Sequence, residues 1–402
     1  MMNMRNLISR FSIWLVIPVA LFLLFPSAWM PLGFIGALVI FFLRWLTNGS
    51  PLPDSRANLL ILILGLMTAI GFGISPSPNL AVITAAQVVA SITIFYVLLD
   101  WMRTSEDQWR LVAVLVLLGV AVAFAAPFTV QWSVNKLFGL SSFYDGIWPR
   151  LAKESNPNIV AGAIVPIIPL CLVLIEKGTR LGRGLGACSL APLFIIAFLL
   201  QSRGALFALM LGIAMWIALH WKWTIPVMIM ASALALIVTT FVEGQPVLQL
   251  LYGQAGVSSN SSFVQRQDLW MQSIYLIRQS PLVGIGLNAY AQIGPVSFPY
   301  SPAQPGLDVP HVHNLFLQVA LDTGVIGLAA FVVLIGLAVS MAWRAYRSQT
   351  ERYLAIGLLS AFTVLLVHGF GDVIVWGTAK SSVVLWILLS IAFTFDKLRK
   401  TV

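Results

Sequence analysis

The chain has 402 residues, 59% of them hydrophobic and 9% charged, with a net charge of +9 and a mean hydropathy of +0.93. A soluble domain carries about 25% charged residues, so this composition excludes an ordinary water-soluble globule and makes lipid the solvent for most of the chain. The short segments of alternating polarity that mark a transmembrane β-barrel are missing, and the positive charge is read as a question of membrane sides rather than of nucleic acid.

Along the chain, Arg5 and Arg10 precede an apolar run to Phe25 with no small-x-small cleavage site after it, which reads as a first membrane anchor. Twelve apolar segments follow one another at about 11–27, 31–47, 57–74, 79–99, 110–127, 158–176, 185–201, 204–220, 223–243, 313–342, 353–372 and 379–396. "ISPSPN" (74–79) predicts a tight hairpin between the third and fourth. Cys171 and Cys188 fall in apolar segments without metal spacing and are read as buried thiols. With a cytoplasmic N-terminus, sixteen Lys and Arg residues fall on the inner face and seven on the outer, while the acidic residues divide evenly. The positive-inside rule then puts both termini in the cytoplasm. The expected architecture is an all-α polytopic membrane protein of about twelve transmembrane helices: nine spans in 1–243, a large periplasmic loop at 244–312 and three spans in 313–402.

Topology accounts for the sixteen inner cations; the outer ones need another reason. The loop at 128–157 carries Arg150 and Lys153. In the 244–312 loop, a helix is expected over about 263–279, capped by Ser262, stopped before Pro281 and sharing Phe263, Trp270, Ile274 and Ile277 on one face. It carries Arg266 and Arg278, and "PVSFPYSPAQPG" (295–306) reads as an irregular link. Arg203, in "LLQSRGAL", occupies a near-loopless turn between two spans, where a phospholipid headgroup is one partner and a polyanion shared with Arg266, Arg278, Arg150 and Lys153 is another. The arginine fork suits phosphate because it binds two oxygens and stays charged.

The loop re-enters the membrane through His311, His313 and Asn314, polar groups that at a span mouth face either water or a cavity. Interfacial histidines satisfied by backbone and water are the plainer account. His-x-His with Asp308 offers metal ligands, but no further ligand motif completes a site, so none is expected. Asp322 must be paired, protonated or facing a cavity, and Gly324 and Gly327 are expected to allow close helix packing. His368 and Asp372, one turn apart, read as a structural pair, and His220 as incidental.

"HN", nine residues and "GVIG" (His313, Asn314, Gly324, Gly327) resemble the signature of the O-antigen ligase and polymerase superfamily. "QSRGAL" (201–206), "RQDLW" (266–270) and "SPLVGIGLNAY" (280–290) resemble its preceding elements in order. The resemblance implies a GT-C-like membrane glycosyltransferase in the bacterial inner membrane. It would act on the periplasmic side without cofactor or metal, moving a glycan from undecaprenyl pyrophosphate to lipid A-core with inversion. His313, Arg203 and Arg266 are the expected catalytic residues. Arg150, Lys153, Arg278, His311 and Asn314 are expected to bind substrate. A polymerase or a protein-glycosylating enzyme of the same superfamily, and a lipid-linked glycan transporter, are the alternatives.

Overall fold

The computed structural model describes residues 30–48, 52–130, 156–221, 256–298, 311–377 and 379–399. The expected spans at 11–27 and 223–243, together with Arg150, Lys153, Asp308 and most of the 295–306 link, lie outside these residues.

Ten of the twelve apolar segments coincide with helices. The first four are α1 (Met30–Asn48), α2 (Asn58–Ile74), α3 (Pro78–Trp101) and α4 (Ser105–Thr129). The α2–α3 connection is the tight turn that "ISPSPN" predicts. Next come α5 (Pro157–Ile164) and α6 (Ile168–Lys177), one apolar stretch tightened to 3-10 at Val165–Ile167, where Pro166 has no N–H to donate. α7 (Arg180–Leu199) and α8 (Arg203–His220) follow, then α9 (Gly256–Gln279), α10 (Tyr290–Ser297), α11 (Leu315–Arg347), α12 (Arg352–Gly371) and α13 (Ala379–Arg399). No strand occurs among the described residues, and seven helices there are long and apolar enough to cross a membrane. Large apolar side chains such as Leu62, Leu66, Phe124, Ile195 and Phe198 point outward, as lipid-facing positions would. Cys171 is buried as expected, but Cys188 is exposed, because a small apolar side chain costs nothing on the outside of a helix in lipid.

The bundle has two chemically distinct ends. At one, His220 pairs with Glu176 and Tyr346 donates to the carbonyl of Leu219. The other carries the start of α8, the start of α11 and the end of α12, with α9 and α10 packed against them by Leu269, Leu276, Tyr290, Val312 and Leu321.

At that second end, α11 is not continuous. Gly324 has φ +69° and ψ 179° inside it, so the helix breaks there, and the expectation of simple close packing is corrected at this glycine. A break frees backbone groups that lipid cannot satisfy. The segment 281–288 meets them: Val325 N–H donates to Pro281 O at 2.8 Å and Ile285 N–H to Leu321 O at 2.7 Å. The same segment is tied to the end of α2 through Leu287 N–H to Gly71 O at 2.9 Å and Ser75 Oγ to Leu287 O at 2.7 Å. Gly327 does sit in a close contact, its Cβ position being 3.3 Å from Met67 of α2.

Asp322 closes this junction. Its carboxylate is 1% exposed and accepts from Gln318 Nε2 at 2.9 Å, Asn288 N at 3.2 Å and Trp376 Nε1 at 2.8 Å. The acid is therefore paired, by three neutral donors from three segments.

The other differences lie in 256–298. α9 starts at Gly256, upstream of the expected Ser262 cap, and turns Leu269, Gln272, Ser273 and Leu276 inward while Ile274 is exposed. Of the expected face, Ile274 is exposed, whereas Trp270 and Ile277 are partly buried against the cluster of Leu269, Leu276 and Tyr290. Residues 290–297 are helical despite Pro295, because the fold places that proline where α10 ends.

Two outcomes are expected. A Cβ on Gly324 would fall 2.0 Å from Leu282 O, whereas one on Gly336 meets nothing within 4 Å. Gly324→Ala should sharply lower the melting temperature in detergent, and Gly336→Ala should leave it equal or raise it, since alanine is preferred in a helix interior by about 1 kcal/mol. Asp322→Ala orphans three buried donors at about 1–3 kcal/mol each and should destabilise more than Asp322→Asn, which keeps an acceptor oxygen; denaturant titration of both variants measures the difference.

Candidate active site

The site forms where the chain re-enters the bundle. Asn314 caps α11: its Oδ1 accepts from Phe316 N at 3.0 Å and Leu317 N at 3.1 Å, and its Nδ2 donates to Phe370 O at 3.1 Å. The cap thus straps the start of α11 to the end of α12. The residue before it, His313, has φ +49°, a left-handed conformation that a non-glycine residue adopts only when its surroundings hold it there. Trp270 of α9 is part of that hold, its Nε1 donating to His313 O at 3.4 Å.

The two imidazoles meet one carboxylate. His311 Nε2 and His313 Nδ1 each lie 3.2 Å from Asp372 Oδ1, and their ring centroids are 4.4 Å apart. Asp372 directly follows α12 and its side chain is 3% exposed, against 15% for His311 and 25% for His313. Burial works to raise the Asp372 carboxyl, but the hydrogen bonds from His311 and His313 and their charges outweigh it, holding the group well below the usual carboxylate range. Asp372 Oδ2 is buried and meets no hydrogen-bond partner among the described residues. The expected His368–Asp372 side-chain pair is not formed. His368 is buried, its Nδ1 has no partner among the described residues, and Asp372 turns instead to the histidines some sixty positions earlier.

Cations approach the same corner. Arg266 is half-buried, and its Nη1 lies 3.7 Å from the Cβ position of Gly371. Trp270, which bonds to His313 O, stands four residues along α9 on the same helix face as Arg266, and Gly371 immediately precedes Asp372. Arg203 is the first residue of α8 and is exposed. The glycine after it abuts the ring of His368, with 3.6 Å between the Gly204 Cβ position and His368 Cδ2. Arg278 is exposed in the last turn of α9, about 18 Å along the helix from Arg266 at 1.5 Å per residue. The structure therefore gathers His311, His313, Asn314 and Arg266, sets Arg203 at the adjoining helix start, and leaves Arg278 apart.

Chemically, a carboxylate holding Nδ1–H of His313 leaves Nε2 of that ring as the acceptor nitrogen. An imidazole acceptor with an arginine beside it can take a proton from a hydroxyl next to an anionic group. The residue that sequence reasoning undervalued is Asp372. The available signal was an acid at the end of an apolar span, which needs a partner; which histidine supplied it was not written in the spacing.

A family model described as O-antigen ligase matches residues 188–332, the stretch that contains Arg203, Arg266, both histidines and the broken part of α11. No curated protein matches the chain.

Because the Asp372 carboxyl is held well below its unfolded value near 3.8, its stabilisation is present above that value and is lost progressively as pH falls below it toward the lower folded-state value. Asp372→Asn should be less stable than the parent chain at pH 7, and the gap between their melting temperatures should hold down to about pH 4 and narrow as pH falls further.

Proposed function

We propose that this chain, a member of the O-antigen ligase family over residues 188–332, transfers a glycan from undecaprenyl pyrophosphate to lipid A-core. The reaction takes place on the periplasmic face of the bacterial inner membrane. The observation that carries this reading is the pairing of His313 with Asp372 beside Arg266.

In the reaction, an acceptor hydroxyl gives its proton to His313 Nε2 as its oxygen bonds to the anomeric carbon. The bond from that carbon to the phosphate oxygen breaks, its electron pair leaves with the lipid diphosphate, and the anomeric centre inverts. Asp372 keeps the proton of His313 on Nδ1, so Nε2 stays an acceptor. Arg203 and Arg266 offset the charge growing on the bridging oxygen, an effect worth more where water is scarce. A diphosphate is already a good leaving group, which removes the need for a paired carboxylic acid and lets the transfer run without metal. His311 shares the Asp372 carboxylate and lines the acceptor side, Asn314 fixes the approach of both rings, and Arg150, Lys153 and Arg278 serve the more distant glycan or lipid. Both termini lie in the cytoplasm, since the cations at the His220 end follow the positive-inside pattern.

Purified protein given carrier-linked glycan and lipid A-core should form the joined product in the presence of chelator. His313→Ala should abolish it, and Arg266→Ala should lower the rate by about 10²–10³, the usual loss for one oxyanion partner. Turnover by His313→Ala sinks the assignment. In cells lacking the protein, a lipopolysaccharide gel showing core without polymer fits the ligase, whereas core bearing a single repeat fits a polymerase.

A further inference from the structure

We propose that His311, His313 and Asp372 form a zinc site, and that zinc bound there switches His313 off. The second half rests on the proposed role of His313; the first does not.

The geometry comes first. Two donor separations are 3.2 Å, His311 Nε2 and His313 Nδ1 each to Asp372 Oδ1, and all three donor atoms lie within 4.8 Å of one another. A triangle with two such sides and a third no longer than 4.8 Å has its equidistant point at most about 2.4 Å from each corner. Zinc bonds to imidazole nitrogen and carboxylate oxygen are about 2.0–2.2 Å, so an ion is seated by shifts of a few tenths of an ångström. The ligand types select the ion: two imidazoles and one carboxylate suit a borderline cation, whereas magnesium and calcium take oxygen ligands. Asp372 Oδ2, buried and unpartnered among the described residues, gives the carboxylate a second oxygen to turn on the ion. The partial exposure of both histidines leaves a fourth position for water.

The chemical consequence follows from where the ring protons go. In the metal-free arrangement both imidazoles donate to Asp372. Zinc takes the lone pair of His313 Nδ1, and the proton that stood there moves to Nε2. The same exchange puts the His311 proton on Nδ1, so neither ring gains or loses a proton. Nε2 of His313 thereby changes from acceptor to donor and cannot receive a proton from a hydroxyl. Arg266 beside Gly371 and the presence of only one carboxylate leave the loaded site net positive. Binding is therefore expected to be reversible, rather than that of a structural zinc.

The test uses full-length protein in detergent, stripped with chelator and titrated with zinc chloride by calorimetry, with magnesium chloride in parallel. One zinc per chain and no magnesium uptake are expected. His311→Gln and Asp372→Asn should each weaken zinc at least tenfold. His220→Ala should leave it unchanged, since the His220–Glu176 pair lies at the other end of the bundle. X-ray absorption of the zinc-loaded parent protein, which needs no variant to fold, should show two imidazoles and oxygen neighbours. No saturable binding, equal affinity in His311→Gln, or a spectrum without two imidazoles overturns the site. In the transfer assay zinc should inhibit and chelator restore the rate; tight zinc binding with undiminished transfer overturns the switch. Absence of any transfer would refute the glycan-transfer reading and leave the binding result standing.

Discussion

One buried carboxylate organises the polar end of this bundle. Asp372 follows the last turn of α12, where water has little access, and an ion in such a place must be paired or neutralised. Its partners are not on its own helix. Two histidines from the turn before α11 supply hydrogen bonds to a single oxygen, and Asn314 ties that turn to the carbonyl of Phe370. The end of one span and the start of another are therefore fixed together by polar contacts in a region otherwise held by apolar packing. The left-handed conformation of His313 is tolerated because those contacts over-determine it.

A second acid lies in the same part of the fold and behaves differently. Asp322 receives three donors, from a helix side chain, a loop N–H and an indole. Its neighbours are all neutral, and both its oxygens are used. Asp372 has one oxygen shared between two titratable rings and the N–H of Val373 and one with no partner among the described residues. A carboxylate whose valences are filled by neutral donors can only hold structure together. One that leaves an oxygen open and fixes the tautomer of a half-exposed imidazole retains chemistry to do. The broken helix at Gly324 serves both, because the 281–288 segment that heals it brings Asn288 to Asp322 and sets α9 and α10 beside the histidines.

How far the sequence foretold this depends on the range of the interaction. The spans were legible because each is a local property, a run of apolar residues long enough to cross lipid, and the α2–α3 and α7–α8 turns were legible from Pro, Gly and polar residues alone. His311, His313 and Arg266 were legible as polar groups where polarity is costly. The partner of Asp372 was not, because a choice among His368 four residues away and two histidines about sixty away is made by tertiary packing. Which face of α9 turns toward the protein was not legible either. A helix lying between protein and lipid is apolar on two sides, so periodicity does not say which side meets which solvent. Gly324 looked like a packing glycine because nothing local distinguishes a small residue at a contact from one at a break.

The opposite end of the bundle supplies an internal comparison. His220 also pairs with an acid, Glu176 at 3.1 Å, and also stacks on aromatic rings, Trp216 and Tyr353. Its second nitrogen is bound too, to the carbonyl of Trp216 at 2.8 Å, so no ring atom is left to receive a proton. His313 has the same acid partner in kind but spends only Nδ1 on it, and its ring reaches solvent. A histidine–carboxylate pair is thus not in itself the mark of a site in this chain. What separates the two is the unspent nitrogen, the arginine beside the adjoining end of α12, and a carboxylate shared with a second imidazole.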